Sequence, residues 1–197
     1  MKKINAFLSV IFILLMSKTI AFGQNFSQEF GFKSDNDSYL LKGQDRYYTN
    51  GLFLYLRKAT NQQQLNKKLE KFIYEISAGQ KMYNPSSGNR PNPRTHDRPF
   101  AALLYVGAST SFFFKNESVL KTELKIGAIG PKAFGKESQE FLHETIGFYD
   151  VNGWEHQIKN ALALNASAQF TKLIHRNSNQ TLDFLLETRL NFGTTFT

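Results

Sequence analysis

Along most of the chain, apolar side chains fall on even positions and polar or small ones on odd positions, the period-2 signature of β-strands. Seven segments carry it. The first sets Phe26, Phe30 and Phe32 against Ser27, Glu29, Gly31 and Lys33. The second sets Leu52, Leu54 and Leu56 against Thr49, Gly51, Tyr55 and Arg57. In the third, Phe72, Tyr74, Ile76 and Met82 oppose Glu75, Ser77, Gly79, Lys81 and Tyr83. The fourth runs from Leu104 to Phe114, and the fifth alternates Leu120, Leu124 and Ile126 with Lys121, Glu123, Lys125 and Gly127. The sixth carries Ile158, Leu162 and Leu164, and the seventh carries Leu182, Phe184, Leu186, Leu190 and Phe192 against Asp183, Glu187, Arg189 and Asn191. Residues 84–98 are rich in Pro, Asn, Arg and Ser and read as a loop. Pro131 to Ile146 reads as a short helix, with Pro131 in its first turn, Gly147 as its stop, and Phe134, Phe141, Leu142 and Ile146 as an apolar stripe.

A soluble β-sandwich also alternates, with its apolar face inward. Two features favour a membrane barrel. The segments approach the length that a tilted transmembrane strand needs, and the polar face interleaves Lys, Glu and Arg as a hydrated lumen would. Five glycines on that face, Gly31, Gly51, Gly79, Gly107 and Gly127, suggest space for a chain or ligand inside. The N-terminus points the same way. Lys2 and Lys3 precede an apolar run, Phe7 to Met16, that is short for a membrane helix, and Ala21-Phe22-Gly23 is a small-x-small cleavage site. Residues 1–23 are therefore expected to be a secretory signal, and 24–197 an antiparallel transmembrane β-barrel domain. Seven is an odd count, whereas single-chain bacterial barrels use even numbers. The expectation is a barrel incomplete toward the C-terminus of these 197 residues.

The chain has no cysteine, which excludes disulfides and thiolate metal sites. Its formal charge of +8 suits an anionic surface or substrate. Export argues against nucleic acid as a partner.

Four clusters carry candidate chemistry. Asp35-Asn36-Asp37 offers oxygen ligands for a hard cation, and equally the side chains of a turn. Asp45-Arg46-Tyr47-Tyr48-Thr49-Asn50-Gly51 puts Thr49 on the inward parity; it also reads as the start of a hairpin with an exposed Asp and Arg. Lys81 is inward by parity, as a lumen lysine would be. Gln139 and His143, four apart, share one helix face, and neutral imidazole is a suitable base near neutral pH. A histidine packed beneath the helix fits that spacing as well. The chain has no Gly-x-Ser-x-Gly elbow and no His-Glu-x-x-His zinc motif.

Taken together, these stretches resemble the lipid A 3′-O-deacylase family. The resemblance rests on Asp35–Asp37, Asp45–Gly51, Gly79–Tyr83, Asp97–Ala101, Gly127–Gly135, Gln139 with His143, and Gly153-Trp154 with Gln157. It implies a twelve-stranded outer-membrane barrel, with an active site at the extracellular end. The implied reaction is calcium-dependent hydrolysis of the ester that joins the 3′-linked acyloxyacyl group to lipid A. By this resemblance Asn36 and Asp37 lie at the metal and substrate site, Thr49 and Lys81 line the same pocket, and Gln139 and His143 form its helical wall with His143 as base. An acidic residue shortly after the histidine is also implied, with Glu144 and Asp150 both eligible. The expected partners are lipopolysaccharide and outer-membrane lipids, with a monomer as the working unit. Acyl chains are expected near Leu52, Leu54 and Phe100. A non-catalytic barrel (porin, glycolipid-binding scaffold or adhesin) remains the alternative reading.

Overall fold

The structure, a computed structural model, describes residues 27–40, 45–61 and 65–195. The expected signal segment and Phe26 lie outside the described residues. Within them, seven strands form one antiparallel sheet in sequence order. The strands are β1 (Gln28–Asn36), β2 (Tyr47–Ala59), β3 (Leu69–Asn84), β4 (Ala101–Phe114), β5 (Ser118–Ile129), β6 (Ala161–Arg176) and β7 (Asp183–Gly193). One helix, α1 (Gly135–Ile146), lies between β5 and β6. No described helix is long and apolar enough to cross a membrane.

The alternation follows the pleat. Phe30, Phe32, Leu54, Leu56, Ile76, Val106, Leu124, Ile126, Leu164, Leu190 and Phe192 are exposed on one face, which is the lipid-facing side of a barrel wall. The other face is held by polar contacts. Arg57 bridges Glu75 and Glu29 across three strands, Tyr55 donates to Glu29 Oε1 at 2.9 Å, and Lys125 pairs with Glu123 at 2.9 Å. Desolvating these groups against lipid is costly, which fixes the register because a one-residue slip would exchange the faces. The inward glycines do not leave open space. A Cβ on Gly31 would strike the Tyr55 ring, one on Gly51 the Tyr48 hydroxyl and Phe53, and one on Gly79 Phe53 and Tyr105. Neighbouring aromatic rings fill the room that the missing side chains leave.

Several boundaries differ from the periodicity. β1 continues through Asp35 and Asn36, so only Asp37 enters the following 3-10 turn. β6 begins at Ala161. Ile158 precedes it, and its N–H donates to the Phe100 carbonyl at 3.0 Å. A β-bulge between Tyr48 and Asn50 leaves Thr49 unpaired against β3. Parity therefore flips at the top of β2. Tyr48 faces inward, with its ring centre 5.4 Å from that of Tyr83 and its hydroxyl donating to Asp35 at 2.9 Å. A bulge cannot be seen in an alternation count, because it adds one residue without changing residue types.

The expected Pro131–Ile146 helix is two pieces. Pro131–Ala133 is a 3-10 turn, Phe134 adopts the left-handed region at φ 55°, and α1 starts at Gly135. Gly147 ends α1 at φ 78°, with its N–H donating to His143 O at 2.8 Å. The proposed apolar stripe is not the buried face. Phe134, Phe141 and Ile146 are exposed, whereas Gly135, Gln139 and His143 are buried. Of the stripe only Leu142 packs inward, and apolar side chains can stay exposed on the lipid side of a barrel.

The β5–β6 connection, α1 included, folds onto the outward face of β3 and β4 at one end. Met82 and Ala102, register partners on that face, are buried with Phe100, Ala133 and Trp154, and Leu142 and Val151 pack beside them. Gln80, also outward, donates to the carbonyls of Ala133 at 2.6 Å and Phe134 at 3.1 Å. Phe100 is thus part of this core beneath Trp154, with ring centres 5.1 Å apart, and is not a lipid-facing side chain.

Candidate active site on the barrel's outer rim

In an antiparallel meander the connections after β1, β3 and β5 share one end. All three contribute to one cluster centred on Asp45. Asp45 Oδ2 accepts hydrogen bonds from Gln139 Nε2 and, at 2.8 Å, from the Tyr149 hydroxyl, and it lies 3.2 Å from His143 Nε2. Trp154 Nε1 donates to Gln139 Oε1 at 2.7 Å, which fixes the way the Gln139 amide points. His143 Nδ1 meets the Tyr149 carbonyl oxygen at 2.8 Å. A carbonyl only accepts, so Nδ1 carries a proton and the neutral ring has its lone pair on Nε2.

The cluster is sheltered, with Gln139 2 % and His143 8 % exposed. Burial pushes the His143 pKa down, but the Asp45 carboxylate and the Tyr149 carbonyl outweigh it, with Asp37 adding to the field. The net result is a pKa above the ordinary histidine value. Tyr149 is pushed well above its usual range by burial and by Asp45, so it remains a hydrogen-bond donor. Asp37 and Asp45 act on both of these groups, and Asp37 Oδ2 accepts the Arg46 backbone N–H at 3.1 Å. The imidazole and Asp37 thus lie in one electrostatic neighbourhood, whereas Asp35 pairs with Tyr48 and Lys33 on the lumen side.

The acidic partner of His143 is therefore Asp45. Glu144 and Asp150, the two sequence candidates, are both exposed and neither contacts the ring. Asp45 was legible only as an exposed hairpin residue, yet its side chain is 14 % exposed. Its distance along the chain from His143 hid the pairing. Tyr149 carried no signal at all. Trp154 was marked by its motif but not by its bond to Gln139.

Lys81 sits elsewhere. It faces the lumen from β3, 5.9 Å from the Tyr48 ring centre, among Lys33, Asp35, Glu123 and Lys125. None of those groups belongs to the Asp45 network. Thr49 and Asn50 are buried at the bulge, and Asn36 is paired with Asn50 across β1 and β2.

Among the described residues no three His, Asp or Glu side chains converge as a metal cluster. The oxygen inventory nonetheless suits a hard cation. Thr49 Oγ1, Asn50 Oδ1 and Asn84 Oδ1 are buried and lack a hydrogen-bond partner, which is costly unless something else satisfies them. They lie near the ends of β2 and β3, and neutral oxygens of this type are ones that calcium takes alongside carboxylates, although the unpartnered Asn84 Nδ2 is a donor that a cation would not satisfy.

Comparison with known proteins supplies the context. LpxR from Salmonella typhimurium, a solved structure, superposes with a TM-score of 0.65 at 26 % sequence identity over 85 % of this chain. The match covers 59 % of that protein's chain, so the present chain spans less than two thirds of it. No curated protein sequence matches. The sequence model of the outer membrane protein LpxR matches residues 7–197. The seven-stranded antiparallel sheet and this match over nearly the whole chain agree: the chain belongs to the LpxR family of outer membrane β-barrel proteins.

Proposed function

We propose that this chain carries the hydrolytic site of an outer-membrane lipid A deacylase. It would cleave the ester of the 3′-linked acyloxyacyl group of lipopolysaccharide. The observation that carries the reading is the buried His143–Asp45 pair, its histidine held on a helix that lies on the outward side of the barrel wall. A site on that side is open to the bilayer without passage through the lumen. The longer connections are those that build the site, and in outer-membrane barrels the longer loops face the cell exterior.

In this mechanism His143 Nε2 takes a proton from water as the water oxygen attacks the acyl carbon. Asp45 stabilises the imidazolium that results, and the Tyr149 carbonyl keeps Nδ1 protonated so that Nε2 is the basic atom. The proton then passes from Nε2 to the departing sugar oxygen. Gln139, held by Trp154, donates to Asp45 and keeps the carboxylate beside the ring. Calcium, held by Asp37 with Asn36 and the neighbouring neutral oxygens, would supply Lewis-acid polarisation of the ester carbonyl. The exposed Phe141 and Ile146 on α1, 69 % and 53 % accessible, continue the lipid-facing surface next to the site. Substrate acyl chains can lie against them while the headgroup reaches His143.

The test is mass spectrometry of lipid A from outer membranes containing the full-length protein. Loss of the 3′-linked acyloxyacyl group is expected with the wild type. It is expected to stop with His143→Ala and with a calcium chelator, while heat-modifiable electrophoretic mobility persists. An unchanged lipid A profile with calcium supplied would refute the proposal.

A further inference from the structure

Two arginines from different connections converge on one ring beside the site. Arg98 Cζ lies 4.0 Å from the ring centre of Tyr47, and Arg46 Cζ lies 5.8 Å from it. Tyr47 opens β2, two residues after Asp45, so its backbone lies within about 7 Å of the Asp45 backbone. Arg46 is tied to the site from its other end as well, since its N–H donates to Asp37 Oδ2 at 3.1 Å.

The charges here are not balanced. Among the described residues no carboxylate pairs with the Arg46 side chain. Arg98 Nε has only its sequence neighbour Asp97, at 3.5 Å, and the other oxygen of Asp97 accepts the Ser86 N–H at 2.8 Å. Two like charges gathered on one aromatic ring repel each other unless an anion joins them. Stacking at 4.0 Å orients the planar Arg98 guanidinium while leaving an N–H edge free, and Arg46 sits over the same ring at the outer limit of cation–π range. That edge matches oxyanions in a bidentate manner. A single carboxylate would engage one fork, whereas the tetrahedral oxygens and double charge of a phosphate monoester can engage both.

We propose that Arg46 and Arg98, gathered over Tyr47, form a subsite for a phosphate monoester on the glycolipid headgroup. The inference rests on the deacylase reading for its substrate class. It assigns to these two arginines the anion recognition that Lys81, which faces the lumen, cannot provide from its position. The subsite would hold the sugar bearing the scissile ester beside His143 and select phosphorylated over dephosphorylated glycolipid.

Binding is measured on the full-length His143→Ala protein in detergent micelles, by fluorescence polarisation of labelled lipid A with and without its phosphates. This readout needs no turnover, so it stands even if the esterase reading fails. Phosphorylated lipid A is expected to bind at least tenfold tighter than the dephosphorylated form, and the added Arg46→Ala/Arg98→Ala change to abolish that difference. Arg46→Lys/Arg98→Lys should restore only part of it, because the charge returns without the fork. On an otherwise wild-type background the double alanine variant is expected to raise KM for phosphorylated lipid A about tenfold and leave kcat nearly unchanged. Inorganic phosphate alone is expected to compete more than a hundredfold more weakly. Equal affinity for the two lipids, or a double variant that weakens both alike, would overturn the subsite. Competition by inorganic phosphate as strong as that of the lipid would overturn its assignment to a headgroup.

Discussion

Asp45 is the residue on which the proposed chemistry turns, and Asp45→Asn isolates its charge at nearly constant volume. The carboxylate oxygen Oδ2 accepts from Gln139 Nε2 and the Tyr149 hydroxyl, and from His143 Nε2 once the ring has taken up the proton. An amide offers one oxygen with two acceptor sites and adds two donors of its own. At least one of the three buried groups then loses its acceptor, at about 1–3 kcal/mol. The remaining bonds fall from charge-assisted to neutral, at about 1 kcal/mol each. Together this is roughly 3–5 kcal/mol, or between two and four orders of magnitude in kcat if all of it is expressed in the transition state. The pH profile carries a second signature. Asp45 raises the His143 pKa, and only the neutral ring is a base, so wild-type activity should fall on the acid side around a value above 6.5. Removing the charge lowers that pKa, so the acid limb should move to lower pH even as the maximum drops. The assay is release of the acyl group from purified lipid A in mixed micelles across pH 5–9, with heat-modifiable mobility as the folding control. An Asp45→Asn protein with wild-type kcat and an unmoved acid limb would refute the role assigned to Asp45.

Two further substitutions test how the site is held. A Cβ on Gly135 would meet Ala102 Cβ and, at 2.5 Å, the Trp154 ring; Gly135→Ala should therefore push α1 from the wall at about 1–3 kcal/mol. A drop in activity of more than tenfold with an intact barrel is expected, and undiminished activity would mean that the seating of α1 is irrelevant. Phe141→Ser/Ile146→Ser removes apolar area that the fold leaves exposed, so stability in detergent should be unchanged. Losing roughly 1–2 kcal/mol of lipid contact per residue should lower activity on lipid A in vesicles by tenfold or more and leave activity on dispersed substrate nearly unaltered. Equal loss in both formats would argue against bilayer contact by α1.

Much of the wall was legible from alternation alone. Phe30, Leu54, Ile76, Leu124 and Leu190 mark the lipid face, and Glu29, Arg57, Glu75 and Glu123 mark the polar one, because lipid and water each reward one class of side chain at every second residue. Gln139 and His143 were legible as a pair because helical spacing is local. What failed was everything that needed a second segment. The bulge at Thr49 turned Tyr48 inward, and Phe141 and Ile146 of α1 proved to be exposed.

The sequence by itself determined the strand periodicity, the two faces of the wall and the residue types available for chemistry, since these follow from side-chain patterns within a few residues. Only the tertiary structure decided which groups meet. It brought Asp45 to His143, set Tyr149 and Trp154 around them, and left Lys81 in the lumen. The reason is physical: a hydrogen bond or an electrostatic pairing depends on distance in space, and the connections that close those distances leave no periodic trace along the chain.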